Sequence, residues 1–518
     1  MTRAWRAGRH LARLLSIAAI LARYDAVFPL ERVNGTRWIV ALFRIFRRRD
    51  RKLRDLRPGQ RLALALQAMG PSFIKLGQAL ATRADLIGEE MSGDLAELQD
   101  RLPPFPTSEA RAAIERELGK PVAELYAAFD DEPVAAASIA QVHFARTAEG
   151  EAVAVKVLRP GIAAAMARDL DFFAWLAQLA ERWQPSLRRL KPVAVVETLA
   201  DSVRIEMDLR LEAAAADELR ENFAGDDGFR VPKIDWTRTA RRVLTLERVG
   251  GIRADDRAGL LAAGFDLHDL LARAAANFFY QVFRDGFFHA DMHPGNLFIA
   301  PDGALIAVDF GIMGRLDRAS RFYLADMLVA FLNRDYRRVA EVHFEAGYVP
   351  RSQSLDNFAQ AARAIGEPIF GRPLAEISLG RLLAQLFEVT EQFEMETQPQ
   401  LLLLQKTMVL IEGIGRQLDP GTNMWLLARP LVEEWMRANR GPEARIADIV
   451  TQSAELVERL PVTLRRIEDV LTIIADEGGV PLHPDALEAL AKRGAIDLVG
   501  LPLWIIAIAL AAIAIALW

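Results

Sequence analysis

Three observations predict an α+β chain of two lobes for these 518 residues. Strand signals gather in the middle of the chain, before residue 250, and helical spacing dominates afterwards. At the junction stands "HADMHPGN", His289–Asn296, with "VDFG", Val308–Gly311, just beyond it. Between the two, Leu297–Ile299 and Leu305–Val308 flank a "PDG" turn and read as a hairpin. Helical segments precede the strands, and a long apolar run ends the chain.

Residues 1–60 form a basic arm, with 15 Lys/Arg against 4 Asp/Glu in a chain whose total is −5. Together with Trp5, Trp38, Phe43 and Phe46, that excess suggests an anionic membrane surface in preference to nucleic acid. Residues 61–128 read as a helical extension, broken at "PPFP", with "TSEARAAIERELG" capped by Thr107 or Ser108 and stopped at Gly119. Residues 129–250 read as the first lobe. "AQVHFARTA" and "EAVAVKVL" make a hairpin around Glu149–Gly150, and "RRVLTLERVGG" supplies another strand. Residues 251–490 are mostly helical. Residues 496–518 include "LVGLPLWIIAIALAAIAIALW", without charge from Leu498 onward. At 1.5 Å per residue that run spans about 30 Å as a helix, a bilayer core. Lys492 and Arg493 just upstream keep the main body cytoplasmic. The chain has no cysteine, which excludes disulfides and thiolate chemistry.

The junction motifs carry phosphoryl-transfer chemistry. Asp291 stands where such loops place the base, Asn296 where they place a metal ligand, and Asp309 where a carboxylate holds Mg²⁺. His289 and His293 also invite a zinc reading, but Pro294 and Gly295 oppose the helix that it needs. Lys156 lies within an apolar strand, a costly place for an unpartnered charge. It matches a lysine that contacts nucleotide phosphates. Candidate partners are Glu206, Asp208 and Glu212 in "IEMDLRLEAA". On a single helix, Glu206 and Glu212 point nearly opposite ways. No glycine-rich loop occurs. Its place before the hairpin is taken by "PVAAASIAQVH", whose Ala135, Ala136, Ala137 and Ser138 give a stiffer loop with backbone N–H groups and one hydroxyl as phosphate donors. These parts together predict a two-lobed protein-kinase-like fold.

"KLGQALATRADLIGEEMSGDLAELQDRLPP", "PVAAASIAQVH", "AVKVLRPG", "EMDLRLEA", "HADMHPGNLF" and "VDFG" resemble, in that order, the UbiB family, the ADCK-type atypical kinase-like proteins of ubiquinone biosynthesis. The resemblance runs from about Arg61 to Gly314. It implies a kinase-like fold with a helical extension, binding of ATP or ADP with Mg²⁺, and support of membrane-bound quinone synthesis. It places a KxGQ motif on Lys75, Gly77 and Gln78 and an ExD motif on Glu206 and Asp208, all counted with Asp291 as catalytic. The Ala-rich loop, Lys156, Glu212 and Glu247 form the nucleotide-binding set, and Asn296 and Asp309 the metal set. Membrane lipid, quinone-biosynthesis enzymes and polyprenylated quinone precursors are the partners implied, at a bacterial inner membrane.

A small-molecule kinase of the aminoglycoside-phosphotransferase type and a non-catalytic, lipid- or partner-binding pseudokinase remain alternatives. The KxGQ helix and apolar tail weigh against the first, and the intact Lys156, Asp291, Asn296 and Asp309 against the second. An ordinary protein kinase fits least, because little room for an activation loop follows "DFGIMGRLD". On the KxGQ helix, Lys75, Gln78, Thr82 and Asp85 form one polar stripe. The resemblance turns that stripe toward Glu206 and Asp208 over the cleft.

Overall fold

In the computed structural model, residues 3–26, 53, 56–81, 87–96, 98, 102–183, 192–368, 385, 388–390, 392–395, 398–419, 421 and 424–440 are described. The two lobes belong to one compact unit, Met1–Arg437.

A helical layer opens the chain: α1 (Arg3–Arg23), α2 (Pro58–Met69), α3 (Pro71–Ala81) and α4 (Glu89–Ala96). Helix α3 lies against α2 because residue 77 is glycine. A Cβ there would meet Leu66 Cδ1 at 2.7 Å and Leu98 Cδ1 at 3.0 Å. Helix α5 (Thr107–Leu118) starts where the sequence predicts, but Pro106 is its N-cap. The Thr107 hydroxyl instead donates to the Asp131 carbonyl at 2.5 Å. Gly119 closes the helix in a left-handed turn, φ 70°. A one-turn helix α6 (Val122–Leu125) follows.

The upper lobe is an antiparallel sheet of order β1-β3-β4-β6 with β2 on β3. Its strands are β1 (Tyr126–Phe129), β2 (Ala135–Ala136), β3 (Ala140–Thr147), β4 (Ala152–Leu158) and, later in the chain, β6 (Val243–Glu247). Strand β1 starts inside the segment predicted as helical. The β3–β4 hairpin turns at Glu149–Gly150 as predicted, with Gly150 at φ 95°. Val153, Val155 and Val157 face a small core with Ile114 and Leu125. Helices α7 (Ile162–Trp183), α8 (Pro192–Glu206) and α9 (Leu209–Asn222) follow. Glu206 therefore ends one helix while Glu212 lies on the next. The single-helix expectation fails because Asp208 accepts the Arg210 N–H and starts a new helix there.

The lower lobe carries a four-stranded sheet of order β5-β10-β9-β7: β5 (Phe229–Arg230), β7 (Ile252–Arg253), β9 (Leu297–Ile299) and β10 (Leu305–Ala307). A two-stranded ladder pairs β8 (Phe287–His289) with β11 (Met313–Arg315). Gly314 is required in that ladder, since a Cβ would fall 2.1 Å from the Phe288 ring. The helices are α10 (Arg257–Ala262), α11 (Leu267–Phe279), α12 (Arg318–Leu332), α13 (Tyr336–Glu345), α14 (Leu355–Gly366), α15 (Pro399–Leu418) and α16 (Met424–Arg440). Among the described residues no helix is long and apolar enough to cross a membrane. The span predicted at 496–518 lies outside them.

Candidate active site

Strand alternation places Lys156. Its direct neighbours across the sheet are Val142 on β3 and Leu244 on β6, so the three side chains share one face. That face looks onto the lower lobe. On that face Lys156 Nζ donates to Glu212 on α9 at 2.7 and 3.0 Å and to Asp309 of the lower lobe at 2.9 Å. Burial works to lower the Lys156 pKa, but Asp309 and Glu212 together hold it well above its ordinary value. The Lys156 ammonium in turn holds the Asp309 carboxyl well below the usual carboxylate range. For Glu212 burial is the larger influence and pushes the carboxyl up, against the pull of Lys156. One lysine thus bridges the sheet, the helix behind it and the loop after β10.

That loop is shaped by its backbone. Asp309 takes φ 65°, a left-handed conformation that costs a non-glycine residue about 1–2 kcal/mol. His289 fixes the neighbouring loop. Its Nδ1 accepts the Asp291 N–H at 3.1 Å, so the proton sits on Nε2, which donates to the Val308 carbonyl at 3.3 Å. The Gln281 side chain, in a π-helical turn after α11, accepts the His289 N–H at 2.9 Å. Burial holds the His289 pKa below its ordinary value, and a neutral ring suits both bonds. Asn296 Nδ2 donates to the Asp291 carbonyl at 3.2 Å. The Val308 N–H donates to the Asn296 carbonyl at 2.9 Å. Asp291, Asn296 and Asp309 are thereby tied into one frame.

Lys75 reaches the site from α3. Its Nζ lies 2.8 Å from Glu206 Oε2, with only 13 % and 9 % of the two side chains exposed. Lys75 is also close enough to lower the Asp309 pKa. Gln78, one turn on, is half-buried. Thr82 and Asp85 fall outside the described residues. The ExD pair divides its work. Glu206 latches α3, while Asp208 caps α9 and is gripped by its own Arg210 at 2.6 and 2.9 Å. Asp208 thus positions the helix that carries Glu212, and its carboxyl is held low by Arg210.

Two placements differ from the sequence expectation. Ala135 and Ala136 pair with Val142 and Gln141, and the Ala137 N–H closes a turn onto the Ala140 carbonyl at 2.8 Å. Ser138, read as a phosphate-facing hydroxyl, is fully buried beneath that turn. Glu247 lies three residues from Leu244 and therefore on the opposite face from Lys156. Its carboxylate accepts the Lys233 N–H at 3.2 Å. It lines a cavity of about 420 Å³ with Arg220, Phe223, Arg230 and Ile306, a set that includes neither Lys156 nor Asp309.

One residue escaped the sequence reading. Lys406, on α15, places Nζ 2.9 Å from Asp291 Oδ1. The available signal was a lone cation in the apolar stretch "LLLLQKTMVLI".

Residues 97–343 match the ABC1 atypical kinase-like domain and residues 362–423 the UbiB helical domain. The chain is 42 % identical over 492 residues to the Probable protein kinase UbiB of Marinobacter nauticus, covering 93 % of this chain and 89 % of that protein. It is 44 % identical over 471 residues to the Probable protein kinase UbiB of Azotobacter vinelandii, covering 88 % and 87 %. Among solved structures, the Rv3197–erythromycin complex from Mycobacterium tuberculosis aligns with a TM-score of 0.51 at 26 % identity, over 71 % of this chain and 93 % of that one. The similarity thus reaches well past Gly314, and the chain belongs to the UbiB family of atypical kinase-like proteins.

Proposed function

We propose that this protein binds ATP or ADP with Mg²⁺ in the cleft and turns ATP over in support of ubiquinone biosynthesis at a bacterial inner membrane. The observation that carries the reading is the Lys156 bridge between Glu212 and Asp309. A buried lysine on paired carboxylates beside an Asp–Asn loop is the arrangement that phosphate and metal recognition needs. The donor set suits Mg²⁺. The Asp309 carboxylate, half exposed, and the Asn296 amide oxygen are hard donors, and this ion takes its remaining ligands from phosphate and water. When bound, the ion neutralises charge on the phosphates. The chain's own residues do the rest: Lys156 holds phosphate oxygens, and Asp291 orients the attacking hydroxyl or water. The Lys75–Glu206 latch favours hydrolysis or a small acceptor over a protein substrate. It holds α3 over the opening by which a peptide enters an ordinary protein kinase. Residues 496–518 anchor the body to the membrane.

Asp309→Asn should abolish the Mg²⁺-dependent rise in melting temperature that ATP or ADP produces in the wild type. Undiminished stabilisation in the variant would sink the assignment.

A further inference from the structure

Among the described residues three lysines enter the cleft, and they are not equivalent. Lys75 and Lys156 are 13 % exposed and locked onto buried carboxylates. Lys406 is different: its side chain is 35 % exposed and its partner Asp291 34 %. An ion pair this open adds little to stability, a weak structural reason to hold a cation there. Yet its place is fixed. Leu404 and Thr407, flanking it on α15, are buried, and Ile411 continues the packed side. The Thr407 hydroxyl donates to the Leu403 carbonyl at 2.8 Å.

We propose that Lys406 reads the terminal phosphate of a nucleoside triphosphate: it pairs with Asp291 in the nucleotide-free cleft and engages the terminal phosphate when a triphosphate is bound. This rests on the reading of the cleft as a Mg²⁺-nucleotide site. The chemistry is that of a compact cation with three donors on a flexible stem. One N–H can remain with Asp291 while another meets a phosphate oxygen. Its position beside the residue assigned to orient the attacking group puts it where charge on the transferring phosphoryl must be met. Lys156 is fixed by Glu212 and Asp309 and Lys75 by Glu206, so Lys406, held by one partly exposed pair, is the lysine of the three freest to move toward a terminal phosphate. Its helix lies in the stretch matched by the UbiB helical domain. The contact therefore couples that segment to the phosphate state of the cleft.

The test compares ADP with a non-hydrolysable ATP analogue, each with Mg²⁺, titrated against the full-length protein in detergent. Lys406→Met should weaken the analogue about tenfold, ~1.4 kcal/mol, and leave ADP within about twofold. Lys406→Arg, which keeps charge and reach, should restore most of the difference. The readout is a ratio of two affinities, so partial loss of folded protein cancels. Equal losses for both nucleotides, or no loss for either, would overturn the assignment while leaving the nucleotide reading standing. A wild-type protein that binds neither nucleotide overturns the parent reading and this one with it.

Discussion

At the residue scale the site is organised by lysine–carboxylate pairs, and their burial decides what each one does. Lys156 was legible in the sequence because an ammonium inside an apolar strand demands a partner, and Glu212 was within reach. Lys406 was not, because nothing in a helical pattern says which loop a lone lysine will meet. Lys75–Glu206 lies between these cases: the polar stripe was visible, but its depth was not. Removing one member of a buried pair strands the other, at about 3–5 kcal/mol where water cannot reach it. Glu206 is buried at the end of α8, but truncating Lys75 leaves a space beside it that water can enter, so the fold should survive. Lys75→Ala should therefore keep Mg²⁺-nucleotide stabilisation and a normal protein level, yet fail to restore quinone synthesis in a deletion strain. Full complementation at native expression would reduce the latch to a surface feature.

At the element scale the roof of the cleft is held by a latch from the helical extension. Gln141 on β3 accepts the Phe105 N–H at 3.0 Å and donates to the Phe105 carbonyl at 3.3 Å. Gln141 Nε2 also donates to His143 Nε2 at 2.8 Å. The ring takes that bond because its Nδ1–H is given to the Asp130 carbonyl, also at 2.8 Å. Arg159 completes the latch, donating to the Pro103 carbonyl at 2.9 Å with its guanidinium 5.2 Å from the centre of the Phe105 ring. Strand β2, with Ala135 and Ala136, pairs with the same strand. Gln141→Leu leaves a buried N–H and carbonyl unsatisfied, a penalty of about 1–3 kcal/mol. The melting temperature should fall by several degrees and cleavage near residues 102–106 by a low dose of protease should accelerate. An unchanged melting temperature would show that the latch contributes nothing. Strands β3, β4 and β6 were legible from their β-rich runs and the Glu149–Gly150 turn, whereas β1 fell inside the segment read as helical and β2 inside the segment read as a phosphate loop. The break between α8 and α9 was hidden, because "IEMDLRLE" contains neither glycine nor proline and only the Asp208 cap interrupts it.

At the scale of the whole molecule the governing asymmetry is charge. Residues 1–60 are strongly basic, and the remainder holds 49 Lys/Arg against 65 Asp/Glu. On the proposed membrane reading, an acidic body is repelled by an anionic leaflet, so the surface attraction would come from the arm. Composition credits the arm with its full charge, but part of it is used inside the fold. Arg9 pairs with Asp171 at 2.6 Å and Arg13 with Asp169 at 2.9 Å, and Arg57 pairs with the buried Asp94. His10 stacks on Trp175 with ring centres 5.1 Å apart, so α1 is docked on α7 through its polar and aromatic side chains. Such pairings were illegible because a run of like charges does not reveal where its counter-charges lie. A free Lys or Arg near an anionic surface contributes about 1 kcal/mol, so on the proposed membrane reading the arm would be a second anchor weaker than its composition suggests. Deleting residues 496–518 should therefore release only part of the protein from membranes at low salt. Raising the salt to about 1 M, where the screening length is roughly 3 Å, should release the rest. Replacing Arg44, Arg47, Arg48 and Arg49 with glutamine in the truncated protein should reproduce the effect of salt at low ionic strength. A truncated protein that still sediments with membranes in high salt would mean that an apolar contact elsewhere in the chain, and not the basic arm, supplies the second anchor.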